Sequence, residues 1–237
     1  YNCANALRGL IEDIYEVTPP KYFPKRIVIV DNASEDNETQ YVGNIYTSLN
    51  LPIDTILLPT RVETSKALDE GIRHSDTDIF ILCQPGVRLK AKKNPSNPDT
   101  LGLLWQYLSK SSSQIGAVAP FSLFTDKPYL VYGGSRTLNG VNIPCSRFRN
   151  NVFSALKSIY GWHSCYSLDS VIVAIRRCIY NECRFTDECG HFFYFDDWCL
   201  GIRSLGNFLY LTSDTVAYYS SYDRDRLWVP GSDGYIK

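Results

Sequence analysis

Three short apolar runs, each cut off by a polar turn or a neighbouring loop, constrain this chain more than any other feature. Arg26-Ile27-Val28-Ile29-Val30 stops at Asp31-Asn32-Ala33-Ser34. Asp78-Ile79-Phe80-Ile81-Leu82-Cys83 stops at Gln84-Pro85-Gly86, and Ile115 to Pro120 forms the third run. A continuous β-branched run of this length suits a strand buried on both faces. The Asp, Asn and Ser that follow supply turn and capping chemistry. Helical spacings stand between the runs. Leu7, Leu10, Ile11, Ile14 and Val17 predict a helix over 4–17, ended by Pro19-Pro20. Further helices are expected over 37–49, 61–74 and 100–110, with a short strand at 53–58. This alternation through the first 120 residues predicts an α/β fold with a mainly parallel central sheet flanked by helices. Ligands of such sheets bind beyond the carboxyl ends of the strands. The turns Tyr1-Asn2, Asp31-Asn32 and Gln84 to Gly86 are therefore where chemistry is sought.

The second half is less regular. Residues 90–99 read as a loop, and 125–151, rich in Gly, Asn, Arg and Pro, read as a long mobile insertion. A strand is expected at Ser170 to Ile175. A helix is expected from Asp196 to Leu205, with acids at its start and Arg203 near its end, as the helix dipole favours, and with Gly206 as its stop. Two final strands, Phe208 to Leu211 and Val216 to Tyr219, precede a charged tail. No repeat or linker divides the chain, so one domain is expected over 1–237, with halves 1–120 and 121–237.

Composition excludes several classes. With 24 basic and 25 acidic side chains the chain lacks the basic excess that a nucleic-acid partner calls for. No apolar run approaches the ~20 residues of a membrane helix, and no signal peptide is evident. A cytoplasmic protein is expected, with peripheral membrane association left open. The eight cysteines form no C-x-x-C pair and match no zinc spacing, so reduced, mostly buried thiols are expected. The first turn lacks the glycines of a dinucleotide fingerprint, and there is no P-loop. Tyr1-Asn2 reads as the end of a strand that begins upstream of this sequence.

Taken together, the turns resemble those of the family 2 glycosyltransferases, which have the GT-A fold. Val30-Asp31-Asn32-Ala33-Ser34 is similar to the family's V-D-N/D-x-S signature. Ile79 to Leu89 resembles its third landmark, a hydrophobic strand ending in an acid-rich triplet. Phe195-Asp196-Asp197-Trp198-Cys199-Leu200, with Arg203 and Gly206, resembles its late acidic motif. The resemblance implies that 1–120 is a nucleotide-binding half and 121–237 an acceptor half. It implies an inverting transfer of a sugar from a UDP- or GDP-type nucleoside diphosphate sugar to a glycan hydroxyl, as in polysaccharide biosynthesis. Asp31 would contact the base or ribose, with Asn2 and Asn32 beside it. Tyr1, Ser34, Gln84 and Arg88 would complete the donor nucleotide-binding set. Asp197 would be the general base, with Asp196 next to it. A base must stand within hydrogen-bond reach of the hydroxyl it deprotonates. Two adjacent acids at a helix start would offer one carboxylate to the substrate and one to the scaffold. Tyr160-Gly161-Trp162 and His191 to Phe195 are candidates to line the acceptor site, although core packing is the ordinary role of such rings.

The pattern breaks at two positions, both tied to the metal. The family's third landmark ends in an Asp that binds a divalent cation, Mn2+ or Mg2+, and many members add a His after the last strand. Here Gly86 stands where that Asp belongs, and Tyr218-Tyr219-Ser220-Ser221 where the His belongs. Gln84 offers only a neutral amide oxygen, a poor ligand for a hard cation. No metal ligand and no cofactor is assigned. Three readings stay open at this stage. One is an enzyme that uses cationic side chains, among them Arg88, Lys90, Lys92, Lys93, Arg224 and Arg226, in place of the metal. The others are a module that binds nucleotide sugar or glycan without turnover, and a silent structural partner.

Overall fold

The computed structural model describes residues 1–48, 51–90, 97–125, 130–132, 135–138, 141–144, 162–168, 171–186 and 190–220. Helix α1 (Ala4–Val17) leads through a short 3-10 turn (Pro20–Tyr22) to β1 (Ile27–Asp31), α2 (Asn37–Ser48) and β2 (Ile53–Leu57). Helix α3 (Thr64–Arg73), β3 (Ile79–Cys83), β4 (Val87–Arg88), α4 (Thr100–Lys110) and β5 (Ile115–Phe124) follow. β5 runs through its expected end at Pro120 to Phe124, and β4 and the 3-10 turn are not among the expected elements; the others match to within a few residues, as their caps allow. Asp99 caps α4, for example, by accepting from the Gly102 amide at 2.9 Å.

The larger sheet has the order β3–β10–β5–β11–β4, where β10 is Ile172–Arg176 and β11 is Phe208–Tyr219. β5 and β11 are parallel, and β10 is antiparallel to both β3 and β5. β3, β5 and β11 therefore share one direction, and the sheet is mixed because β10 threads between two of them the other way. β1 and β2 form a separate parallel pair.

The core follows the pleat. Val173 and Ile175 of β10 face one apolar cluster, with Ala117 and Ala119 of β5. Ile172 and Ala174 face another, with Val118. Period-2 alternation inside an all-apolar strand is what a sheet covered on both faces demands. Leu10 and Ile14 of α1 and Leu101, Leu104 and Leu108 of α4 cover the second face. The first is covered by α5 (Arg177–Glu182) and α6 (Gly190–Ser204), through Ile179, Tyr180, Trp198 and Ile202. Two adjacent arginines tie helices to this frame. Arg176 donates to the carbonyls of Ile115 (2.9 Å), Ser111 (3.1 Å) and Leu108 near the C-terminus of α4. Arg177 donates to those of Ile72 (3.2 Å) and Thr77 (2.6 Å) at the end of α3. Cations at helix C-termini satisfy free carbonyls and the dipole together.

Several expectations need correction. β1 and β3 are not fully buried on both faces: of Ile27 to Asp31 only Ile29 and Asp31 are buried, and of Ile79 to Cys83 only Leu82. Within the expected insertion, β6 (Leu130–Tyr132) extends the sheet from β5, and β7 (Ser135–Leu138) and β8 (Val141–Pro144) form a hairpin; 145–161 lie outside the described residues. β9 (Trp162–Cys165) pairs with β11. The two final strands are one, with a register shift between Thr212 and Val216 that lets a single strand turn past β5. The helix expected from Asp196 begins at Gly190, so Asp196 and Asp197 lie inside it and not at its start. Tyr194, Phe195, Trp198, Cys199 and Ile202 supply the buried helical stripe that extends it backward.

Candidate active site

The turn after β1 meets the N-terminus of α1. Asn2 and Ala33 have left-handed backbones (φ 47° and 53°), unusual for residues with a Cβ and common at functional turns. Their strain is held by a dense polar lattice. The Asn2 amide donates to Ser34 Oγ at 3.0 Å, and Asn2 Oδ1 accepts from the amides of Glu35 (2.9 Å) and Asp36 (3.3 Å). Asp31 Oδ1 accepts from the Ser34 amide at 3.1 Å and from its hydroxyl. Asp31 is 1% exposed, and its second oxygen, Oδ2, is buried with no hydrogen-bond partner among the described residues. An unpaired buried carboxylate oxygen is costly and calls for an explanation. A ligand that brings a donor to this end of β1 would supply one.

Tyr1 lies under the Arg61 guanidinium, 4.2 Å from its ring centroid. Its hydroxyl pKa is raised, chiefly by a hydrogen bond with Glu35. Asn32 turns aside from this group. Its side chain donates to the Val62 carbonyl and accepts from the Val62 amide, both at 2.8 Å, fixing the loop after β2. The structure thus gathers Tyr1, Asn2, Asp31 and Ser34 directly, and Asn32 as a brace. Arg61, Glu35 and Val62 carried no sequence signal, because they join the group through loops.

Arg88 stands apart from this group. Its guanidinium pairs with Asp13 of α1 at 2.8 Å, while Asp13 Oδ2 takes the Leu89 amide at 2.8 Å. Gly9 leaves the room: a Cβ there would stand 1.7 Å from Arg88 Nη1. Asp13 is 7% exposed, and desolvation raises its carboxyl pKa, while the Leu89 amide and Arg88 oppose the rise. Arg88 is a brace between β4 and α1.

Gln84 closes a turn onto Val87, whose amide donates to the Gln84 carbonyl at 3.0 Å with Pro85 and Gly86 between. Gly86 is buried against Tyr219. A Cβ at position 86 would lie 3.0 Å from Tyr219 Cε2, 3.1 Å from Cζ and 3.3 Å from the hydroxyl. No group of three His, Cys, Asp or Glu able to hold a metal occurs among the described residues. This corner does not fit the divalent cation that the resemblance implies.

On α6, Asp197 Oδ2 accepts from Thr186 Oγ1 at 2.9 Å. The loop bearing Thr186 is anchored by Phe185, whose ring centroid stands 5.1 Å from Tyr180 and 5.4 Å from both Tyr194 and Trp198. Trp198 Nε1 also donates to the Cys183 carbonyl at 2.7 Å. Tyr194 and Phe195, candidates for an acceptor surface, are therefore core rings, 5% and 4% exposed. Tyr160 and Gly161 lie outside the described residues. A hollow of about 420 Å³ opens between Leu58, Pro59 and Val62 on one side, Ser65, Lys66 and Asp69 of α3 below, and Arg184-Phe185 opposite. One wall is tied to Asn32 through Val62, and the other adjoins the Thr186 that bonds Asp197.

The described thiols form no disulfide. Burial pushes Cys83, at the end of β3, up to about 12. No described helix is long and apolar enough to cross a membrane.

Comparison with known proteins bears on the fold. Residues 1–84 match the sequence model described as glycosyl transferase family 2. No curated protein sequence matches the chain. Among solved structures, it is similar to the mannosyltransferase PcManGT from Pyrobaculum calidifontis, in complex with GDP-Man and Mn2+. The identity is 16% and the TM-score 0.64, over 94% of this chain and 55% of that one. It is similar to GalNAc-T7 with UDP, GalNAc and Mn2+ at 12% identity and TM-score 0.65, over 89% of this chain and 40% of that one. It is similar to S. aureus TarS 1-349 at 15% identity and TM-score 0.60, over 93% and 58%. The chain thus spans about half the length of these structures. Its first 84 residues carry the family 2 glycosyltransferase pattern, and the chain as a whole has the GT-A fold.

Proposed function

We propose that this chain moves a sugar from a UDP- or GDP-type nucleoside diphosphate sugar to a hydroxyl of a glycan, with inversion at the anomeric carbon. The observation that carries this reading is Asp31 Oδ2, a buried, unpartnered carboxylate oxygen at the carboxyl end of β1. A base or ribose donor would complete it, with Tyr1, Asn2, Ser34 and Gln84 around the nucleotide. The hollow beside α3 is within the size range of small-ligand sites and gives room for the sugars.

Asp197 is the base. Its carboxylate takes the proton of the acceptor hydroxyl as that oxygen attacks the anomeric carbon, while the bond to the nucleoside diphosphate breaks on the opposite face. In-line displacement of this kind inverts the centre. Thr186 holds one Asp197 oxygen in place through its 2.9 Å hydrogen bond and leaves the other to the acceptor. Asp196 stands beside it on the same helix. Arg88 has no part in this, being held by Asp13.

The test has two stages. Calorimetric titration with UDP and GDP should show binding, reduced in Asp31→Asn. A transfer assay with Asp197→Asn should then show nucleotide binding kept and product formation lost. Turnover that survives Asp197→Asn would refute the base assignment. Nucleotide binding with no turnover in the natural chain would favour a binding module.

A further inference from the structure

We infer that the corner formed by Gln84 to Gly86 and Tyr219 is closed to divalent cations by the Tyr219 ring, and that nucleotide binds here without one. This rests on the nucleotide reading above and extends it. The lost carboxylate at position 86 has a physical counterpart across the sheet: β4 pairs with the end of β11, with Tyr219 opposite Val87. Tyr219 is 5% exposed and packs in the core cluster with Val87, Leu89 and Val171. Its ring edge and hydroxyl stand 3.0–3.3 Å from where a Cβ on residue 86 would be. Any side chain at position 86 would start with its Cβ already pressed against the phenol. Contacts this short force the neighbour to move, and a buried ring flanked by backbone bonds has little room to do so. The Ser220 amide donates to the Gly86 carbonyl and the Thr125 amide to the Tyr219 carbonyl, at 2.8 and 2.9 Å. Both partners are pinned. Glycine and tyrosine form one matched pair, so restoring the acid alone cannot restore the site.

Charge on a bound diphosphate must then be met by side chains. Arg88 is taken by Asp13. Among the described residues, Lys90 is the exposed cation next after Arg88 on this edge. Its ammonium sits 3.6 Å from the ring centroid of Tyr218, which faces the α6 side of the sheet while Tyr219 faces the other. We assign it the diphosphate.

The experiment combines three measurements on the full chain. The first is titration with UDP, in chelator and in millimolar Mn2+. Equal affinity in both is expected, and tightening by about tenfold or more with Mn2+ would overturn the inference. The second is uptake of Mn2+ without nucleotide, followed by the electron paramagnetic resonance of free Mn2+. The natural chain and Gly86→Asp should take up none, and Gly86→Asp/Tyr219→His should gain a site. Uptake by the natural chain, or by Gly86→Asp alone, would overturn the inference. The third is thermal melting, which needs no ligand. Gly86→Asp should melt lower than the natural chain, and adding Tyr219→Ala should cost less in that background than in the natural one. A Gly86→Asp variant that melts unchanged would mean that Tyr219 does not fill the space. Lys90→Met should weaken UDP by about tenfold and uridine hardly at all, with Lys90→Arg restoring UDP; equal UDP affinity in Lys90→Met would remove Lys90 from the assignment. Absence of nucleotide binding in every condition would defeat the nucleotide reading, while Mn2+ uptake and melting would still decide whether the corner is closed.

Discussion

Replacing Asp31 by Asn should raise or preserve stability while removing nucleotide affinity, an opposition that few residues allow. Asp31 is 1% exposed. Oδ1 is satisfied by the amide and hydroxyl of Ser34, and Oδ2 has no partner. Leaving a buried polar atom unsatisfied costs about 1–3 kcal/mol, more when it is charged. Asparagine keeps the shape and can keep the Ser34 bonds through its carbonyl, but it removes the buried charge. The empty protein should therefore gain up to about 1–2 kcal/mol, or about 2–8 °C in melting temperature for a chain of this size. The ligand sees the reverse. An acceptor becomes a donor facing a donor, and a charge-assisted bond of about 1.5–3 kcal/mol disappears, so UDP or GDP should bind about 10- to 150-fold more weakly. Differential scanning calorimetry of the empty protein and isothermal titration with nucleotide measure the two effects separately. A variant that is destabilised by about 2 kcal/mol and binds nucleotide normally would show that Oδ2 serves the fold, and the reasoning would fail.

Other perturbations test the frame around the site. Arg176→Met strips the carbonyls of Leu108, Ser111 and Ile115 of a charged donor; chemical denaturation should show a loss of about 3 kcal/mol, only partly recovered by Arg176→Lys. Arg88→Met should cost about 1–2 kcal/mol at neutral pH, discounted because Arg88 is 40% exposed, and less in acid. The sign follows from Asp13, whose folded pKa already lies above its unfolded value through burial. Its contribution is full below the unfolded carboxyl range and is lost as pH rises through the folded pKa, and losing Arg88 raises that pKa further. A deficit for Arg88→Met that shrinks from acid to neutral pH would contradict this. Among the described thiols, Cys178 is exposed and should react first with an aromatic disulfide reagent, while Cys199, fully buried and raised by that burial, should stay silent until unfolding. Thiol titration followed by peptide mapping reads this directly.

The sequence exposed the part of the fold in which local and global preferences coincide. The run Ile172 to Ile175 is a strand by composition and by burial, and the stripe Leu7, Leu10, Ile11, Ile14 is a helix by spacing and by packing. The start of α6 was not legible. Phe192 to Phe195 favour a strand by type, and only the tertiary stripe of Tyr194, Phe195, Trp198 and Ile202 makes them helical. In the site, the residues after β1 were legible because a turn compresses them into consecutive positions. For Arg88 the charge was legible, but its partner Asp13, which lies 75 residues earlier, was not. The packing of Tyr219 on Gly86 depends on a strand pairing across more than 130 positions, which no local pattern records.

The Asn32 carboxamide has one more consequence. By giving a hydrogen to the Val62 carbonyl and taking one from the Val62 amide, it behaves as a strand one residue long, and it stitches the loop after β2 to the end of β1. Val62 is also part of the wall of the hollow beside α3. One wall of that hollow thus rests on a side chain already engaged at both its donor and its acceptor end. An aspartate in its place would keep the grip on the amide and push against the carbonyl, unzipping half the stitch and letting the wall swing outward. Asn and Asp, interchangeable in the V-D-N/D-x-S signature, would here act as two settings of one aperture.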